Sequence, residues 1–89
     1  MSDIRVVIAD DDVLLREGMS SLLTDAGLNV VGRAGDAEEL IALLARDQPD
    51  LAIIDIRMPP SYTAEGLDAA LRIRSEFPDV ALLLLPTIA

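Results

Sequence analysis

The sequence has no cysteine, no histidine and no tryptophan, and all seven of its cations are arginine, so lysine is missing too. Without cysteine there are no disulfides and no thiolate metal sites. Without histidine there is no imidazole ligand, no imidazole general base and no phosphohistidine on this chain. Tyr62 and Phe77 are the only aromatic residues, so a core must be built of Leu, Ile, Val and Ala. Long apolar runs are missing as well. Val6 to Ala9 is followed at once by Asp10 and is too short for a signal peptide. Val80 to Leu85 is far too short to cross a bilayer. A soluble, cytoplasmic protein is expected. Basic charge is scarce: 16 acidic residues against seven arginines leave a net charge of −9. That balance argues against a nucleic-acid footprint and against adsorption to anionic membranes. The 89 residues suffice for one small domain, expected over 1–89.

What is present is apolar content of 52%, in short runs separated by helical patterns. The run Leu51-Ala52-Ile53-Ile54-Asp55-Ile56-Arg57-Met58-Pro59 organises the chain. Its first part has the length and β-branched content of a strand buried on both faces. Pro59 stops any continuation. An aspartate at the C-terminal end of such a strand sits where α/β sheets hold ligands.

Ile4 to Ala9 reads as a first strand, followed by Asp10-Asp11-Asp12. Leu15, Met19, Leu22, Leu23 and Ala26 fall at helical spacing, predicting a helix from about Val13 to Ala26. Asp12 is placed to cap it and Gly27 to end it. Leu28 to Ala34 is a second strand whose Asn and Gly suit an edge. Asp36 and Glu39 resemble a capping box, and Ala37, Leu40, Ile41 and Leu44 form the buried stripe of a second helix ending before Pro49. After the strand Leu51–Asp55, residues Pro59 to Thr63 read as a loop with Thr63 a cap, and the sequence does not place Tyr62. Leu67, Ala70, Leu71 and Phe77 mark a third helix over about Ala64 to Phe77, with Ile73 on its flank. Pro78-Asp79 turns the chain into a fourth strand, Val80 to Leu85.

Strands alternating with helices imply a parallel sheet with right-handed crossovers. If the first and third strands are neighbours, Asp10, Asp11 and Asp55 converge at one sheet end. Carboxylates so close repel unless a cation joins them or one takes up a proton. Mg²⁺ suits such a site, since it prefers oxygen ligands and uses one or two carboxylates together with a phosphate. A carboxylate beside that cation can act as a nucleophile toward phosphorus. On the plainer alternative, Asp55 is a turn residue and Asp10-Asp11 only complement a helix dipole. Met19 and Met58 read as packing, and Arg16 and Arg57 as surface residues.

Val7-Ile8-Ala9-Asp10-Asp11-Asp12, Leu15-Arg16-Glu17-Gly18, the stretch Leu51 to Pro59, and Glu65-Gly66-Leu67 together resemble a known family. It is the receiver domain of bacterial two-component response regulators, and the pattern looks most like those with a LuxR-type output domain. The resemblance runs to Leu85. It implies a flavodoxin-like parallel sheet of order 2-1-3-4 with flanking helices, stopping before the family's last helix, strand and helix. It implies that Asp55 accepts a phosphoryl group from a histidine kinase or small phosphodonor. Asp11 and Asp55 would bind Mg²⁺ directly, Asp10 mainly through water, and the backbone carbonyl of Arg57 would be a further ligand. Phosphorylation would then change contacts with a partner receiver or a transcriptional output domain. The family is a signalling module, not an enzyme.

Two departures stand out. The family carries a Ser or Thr at the end of strand four; here Pro86 takes that position, and Thr87 is a switch hydroxyl only through a one-residue slip or bulge. The family also uses a Lys at the end of a fifth strand, and this chain has neither. These departures carry the alternative of an unphosphorylated receiver used for protein interaction. Strand four is expected as an apolar edge, and a homodimer through that side would cover it. A small Mg²⁺-dependent phosphotransfer enzyme would need a second Asp soon after Asp55, where Arg57 stands. No helix-turn-helix is seen, so direct DNA binding by this chain is not expected.

Overall fold

Short, mostly apolar runs alternate with helical segments, and each run becomes a strand. A computed structural model describes residues 4–59 and 65–86. Its elements are β1 (Arg5–Ala9), α1 (Val13–Asp25), β2 (Asn29–Ala34), α2 (Ala37–Asp47), β3 (Leu51–Asp55), α3 (Glu65–Glu76) and β4 (Ala81–Leu85). The strands form one parallel sheet ordered β2-β1-β3-β4. This is the flavodoxin-like order expected from the sequence. β1 and β3 lie centrally, which is why Val6 to Ala9 and Ala52 to Ile54 are buried on both faces. Val7, Ala9, Ala52 and Ile54 pack with residues of α2 and α3 in one core. Val6, Ile8 and Ile53 pack beneath Met19 and Leu23 of α1 in another.

β2 is an edge strand, as its Asn and Gly suggested. Its register slips between Val6↔Val30 and Val7↔Gly32, so Val31 is an inserted residue. The slip puts Val30 in the α1-side core and Val31 in the α2-side core. Further along β2, Arg33 Nε bonds Ser20 Oγ at 2.9 Å on α1.

The helix ends follow local chemistry. Asp12 caps α1, its Oδ1 accepting the Leu15 N–H at 3.1 Å. Gly27 takes φ +94°, the left-handed conformation that ends the helix. At α2, Asp36 Oδ1 accepts the Glu39 N–H at 2.8 Å, while Glu39 Oε1 takes the N–H of Gly35. The reciprocal bond of the capping box is therefore displaced by one residue. α2 ends on Gln48 in the left-handed region, φ 47°, just before Pro49.

The buried face of α3 corrects the expected one. Ile73, read as a flank residue, is fully buried, together with Gly66, Ala69 and Ala70, whereas Leu71 is 65% exposed and Leu67 is exposed too. Small side chains let the α3 backbone approach the sheet closely, and larger leucines at those positions would hold it away. On α1 the spacing marks a helix, but Leu14, Leu15 and Leu22 are left exposed. Tyr62, Thr63 and Thr87 lie outside the described residues. Among the described residues, no helix is long and apolar enough to cross a membrane.

Candidate functional site

The site begins where β1 and β3 end side by side. Ala9 pairs with Ile54, so the residues that follow each strand emerge together at the C-terminal edge of the sheet. Asp10 is held there by its N–H to the Ala34 carbonyl at 2.9 Å. It is only 2% exposed. Asp11 and Asp55 are half-buried. One carboxylate oxygen from each of Asp10, Asp11 and Asp55 lies within 4.8 Å of the others. The structure thus brings together the three aspartates singled out by sequence. Asp12 stands apart from them as a helix cap.

Backbone groups aim two of these carboxylates. Asp10 Oδ1 accepts the Asp12 N–H at 3.0 Å. Asp55 Oδ1 accepts the Arg57 N–H at 3.1 Å. Met58 is fully buried in the core with Ile54 and Ile73. Arg57 is exposed, as expected. Arg16 is not a plain surface residue: its Nη1 donates to the Asp10 carbonyl at 3.3 Å, and its buried Nε has no hydrogen-bond partner among the described residues.

Burial pushes the Asp10 carboxyl above its usual range; the Asp12 N–H works against this, and the charges of Asp55, Asp11 and Asp12 add to the rise. At 4.8 Å, two ionised carboxylates repel by about 3.5 kcal/mol at an effective dielectric of about 20. Solvent reduces this for the half-exposed Asp11 and Asp55. A cluster of hard anionic oxygens, one of them driven toward its protonated form, fits a hard divalent cation.

Two positions carry more of the site than their sequence signal announced. Arg16 ties α1 to the end of β1. Gly66 seats α3 on the end of β3: a Cβ there would lie 2.0 Å from the Asp55 carbonyl oxygen. A glycine just inside a helix start, a poor helix former at a place with no turn, is the available signal for such contact. β3 and β4 stay in register through Asp55↔Leu85, so Pro86 directly follows the last paired residue.

The family described as "Response regulator receiver domain" matches residues 6–87. The chain belongs to that family. The transcriptional regulatory protein PdtaR of Mycobacterium tuberculosis is 40% identical over 72 residues, covering 81% of this chain and 34% of that protein. The signal receiver domain of the putative response regulator NarL from the same species is 34% identical, with a TM-score of 0.87, covering all of this chain and 70% of that one. A LuxR-family two-component response regulator from Aurantimonas is 28% identical, also with a TM-score of 0.87, over 99% of this chain and 61% of that one. The chain spans about a third of the length of the PdtaR relative. Receiver domains are signalling modules of two-component systems and bind Mg²⁺ at an acidic pocket. The aspartate cluster corresponds to such a pocket.

Proposed function

We propose that this receiver takes a phosphoryl group onto Asp55 from a histidine kinase or a small acyl phosphate. The convergence of Asp10, Asp11 and Asp55 within 4.8 Å carries this reading. A carboxylate oxygen of Asp55 attacks phosphorus as the bond to the donor nitrogen or oxygen breaks, and the leaving group keeps that electron pair. The Arg57 N–H on Oδ1 orients the carboxylate for this attack. Asp11 and Asp55 would hold Mg²⁺ directly, Asp10 mainly through water, with the Arg57 carbonyl as a further ligand. A cation held there would offset the charge that spreads over the phosphoryl oxygens. The phosphorylated receiver then regulates a transcriptional output domain.

Intact mass after incubation with Mg²⁺ and acetyl phosphate tests this. One phosphoryl group on the parent and none on Asp55→Asn is the expected result. No gain in a demonstrably folded parent refutes it.

The second reading, an interaction module, has its own support. Among the described residues β4 pairs only with β3, and it presents Leu83 to solvent, 48% exposed. Edge strands of this kind pair with other chains. On this reading a homodimer forms through the β4 side, and sedimentation over a range of concentrations tests it. A compact monomer throughout overturns it.

A further inference from the structure

The peptide unit joining Ile56 to Arg57 touches the acceptor carboxylate with one end and α3 with the other. Its N–H, on Arg57, points to Asp55 Oδ1 at 3.1 Å. Its C=O, on Ile56, accepts the Gly66 N–H at 2.8 Å. A peptide unit is planar and stiff. Re-aiming its N–H therefore swings its C=O as well. The preceding peptide is held by β4, where the Ile56 N–H reaches the Leu85 carbonyl at 3.0 Å. Rotation is thus concentrated in the one unit that faces α3.

Gly66 has no slack to absorb such a rotation. A Cβ built on it would lie 2.7 Å from Ile56 Cα and 2.8 Å from the Asp55 carbonyl carbon, besides the 2.0 Å contact with the Asp55 oxygen. These are backbone atoms, which cannot turn aside as a side-chain end can. Beyond Gly66, α3 is packed by Ala69, Ala70 and Ile73 and presents Leu67 and Leu71, one turn apart, to solvent. A closely packed helix answers a small push at one end by shifting as a body.

We propose that α3 reads out the state of Asp55, with Gly66 as the positioning residue and the Ile56–Arg57 peptide as the lever. This rests on Asp55 being the acceptor. When a phosphoryl group or cation competes for Oδ1, the Arg57 N–H loses its partner and turns. The Ile56 carbonyl turns with it, and the Gly66 N–H must follow or break its bond. The Leu67–Leu71 face moves with the helix and so presents a different surface to a partner.

The test is amide NMR of the full ¹⁵N-labelled chain, titrated with Mg²⁺ and then with Mg²⁺ plus beryllofluoride, which mimics a phosphoryl group on aspartate. The Arg57 and Gly66 amides should shift together, those of Leu67 to Leu71 should follow, and those of Leu40 to Leu44 in α2 should stay. Asp55→Asn should abolish the beryllofluoride shifts. In Gly66→Ala, where a methyl wedges the contact open, Arg57 should still respond and α3 should not. A shift at Arg57 with Gly66 and α3 unmoved in the parent chain overturns the lever and leaves the acceptor reading standing. No shift at Asp10, Asp55 or Arg57 in the folded chain overturns both. Gly66 acting only as a structural residue predicts an unmoved Gly66 resonance.

Discussion

The same substitution at two helical glycines should move stability in opposite directions. Gly18 lies in α1, and a Cβ added there meets nothing within 4 Å. Gly18→Ala should therefore gain the helix-propensity difference of about 1 kcal/mol. For a domain of this size that raises Tm by roughly 4–8 °C. Gly66 lies in α3 with its Cβ position 2.0 Å from the Asp55 carbonyl oxygen, about 1.3 Å inside an ordinary carbon–oxygen contact. Opening that gap stretches the 2.8 Å Gly66–Ile56 hydrogen bond beyond bonding range. Overpacking costs about 1–3 kcal/mol, and a buried bond left unmade costs about 1–3 kcal/mol more. Against them stands a propensity gain of at most about 1 kcal/mol, so the net loss is about 1–5 kcal/mol. An 89-residue domain has only about 4–13 kcal/mol in total, which makes this loss a large share. Urea unfolding followed by far-ultraviolet circular dichroism suits a chain without tryptophan. If both variants shift the midpoint the same way, or Gly66→Ala matches the parent within about 0.5 kcal/mol, the close seating of α3 is wrong.

Asp10 holds its proton more tightly in the folded state than in the unfolded one, from a reference of 3.8. Its ionisation therefore lowers stability as pH rises from below that value through the folded pKa, and the cost persists at neutral pH. Asp10→Asn should flatten that part of the pH profile and raise metal-free Tm at neutral pH. It should also weaken the Tm gain from Mg²⁺, and thermal melts at acid and neutral pH with and without Mg²⁺ check all three effects. Gln48 ends α2 at φ 47°, so Gln48→Gly should stabilise by a few tenths of a kcal/mol up to about 1, measurable as a higher urea midpoint. Leu44, fully buried between α2 and the sheet, should cost about 2–5 kcal/mol as Leu44→Ala; a loss below 1 kcal/mol would contradict its core position.

Most of the fold was legible because it rests on period and punctuation. Val6 to Ala9 and Ala52 to Ile54 are continuous apolar runs, and only a strand covered on both faces needs them. Asp12, Gly27 and Asp36 act locally, so their roles could be read without knowing what packs nearby. The three aspartates were legible once the first and third strands were taken as neighbours, because topology alone then brings them together. Which side of α3 faces the sheet was not legible. Hydrophobicity favoured Leu67 and Leu71, but close approach to β3 favours small residues, and closeness is a tertiary property. Gln48 was missed because no local pattern announces a left-handed residue that is neither Gly nor Asn. Arg16 was read as a surface residue because only the fold reveals that its guanidinium reaches the end of β1.

Asp10 is fixed by neutral main-chain groups: its N–H by Ala34, its carboxylate by the Asp12 N–H. Arg16 reaches its carbonyl, while burial and the charges of Asp55, Asp11 and Asp12 push the Asp10 carboxyl upward. The carboxylate is thus held in place while much of its charge is left uncompensated. A site pinned by a salt bridge would be more stable when empty and would have less attraction left for an incoming cation. A site pinned by backbone bonds keeps its geometry in either state and reserves its field for the ligand. At Asp55, a bond that orients the carboxylate comes from the peptide whose other end grips α3. Orientation of the acceptor and connection to a surface helix therefore depend on one peptide plane. A ligand that binds Asp55 competes directly for that connection, so loading the site and moving α3 are two aspects of one equilibrium.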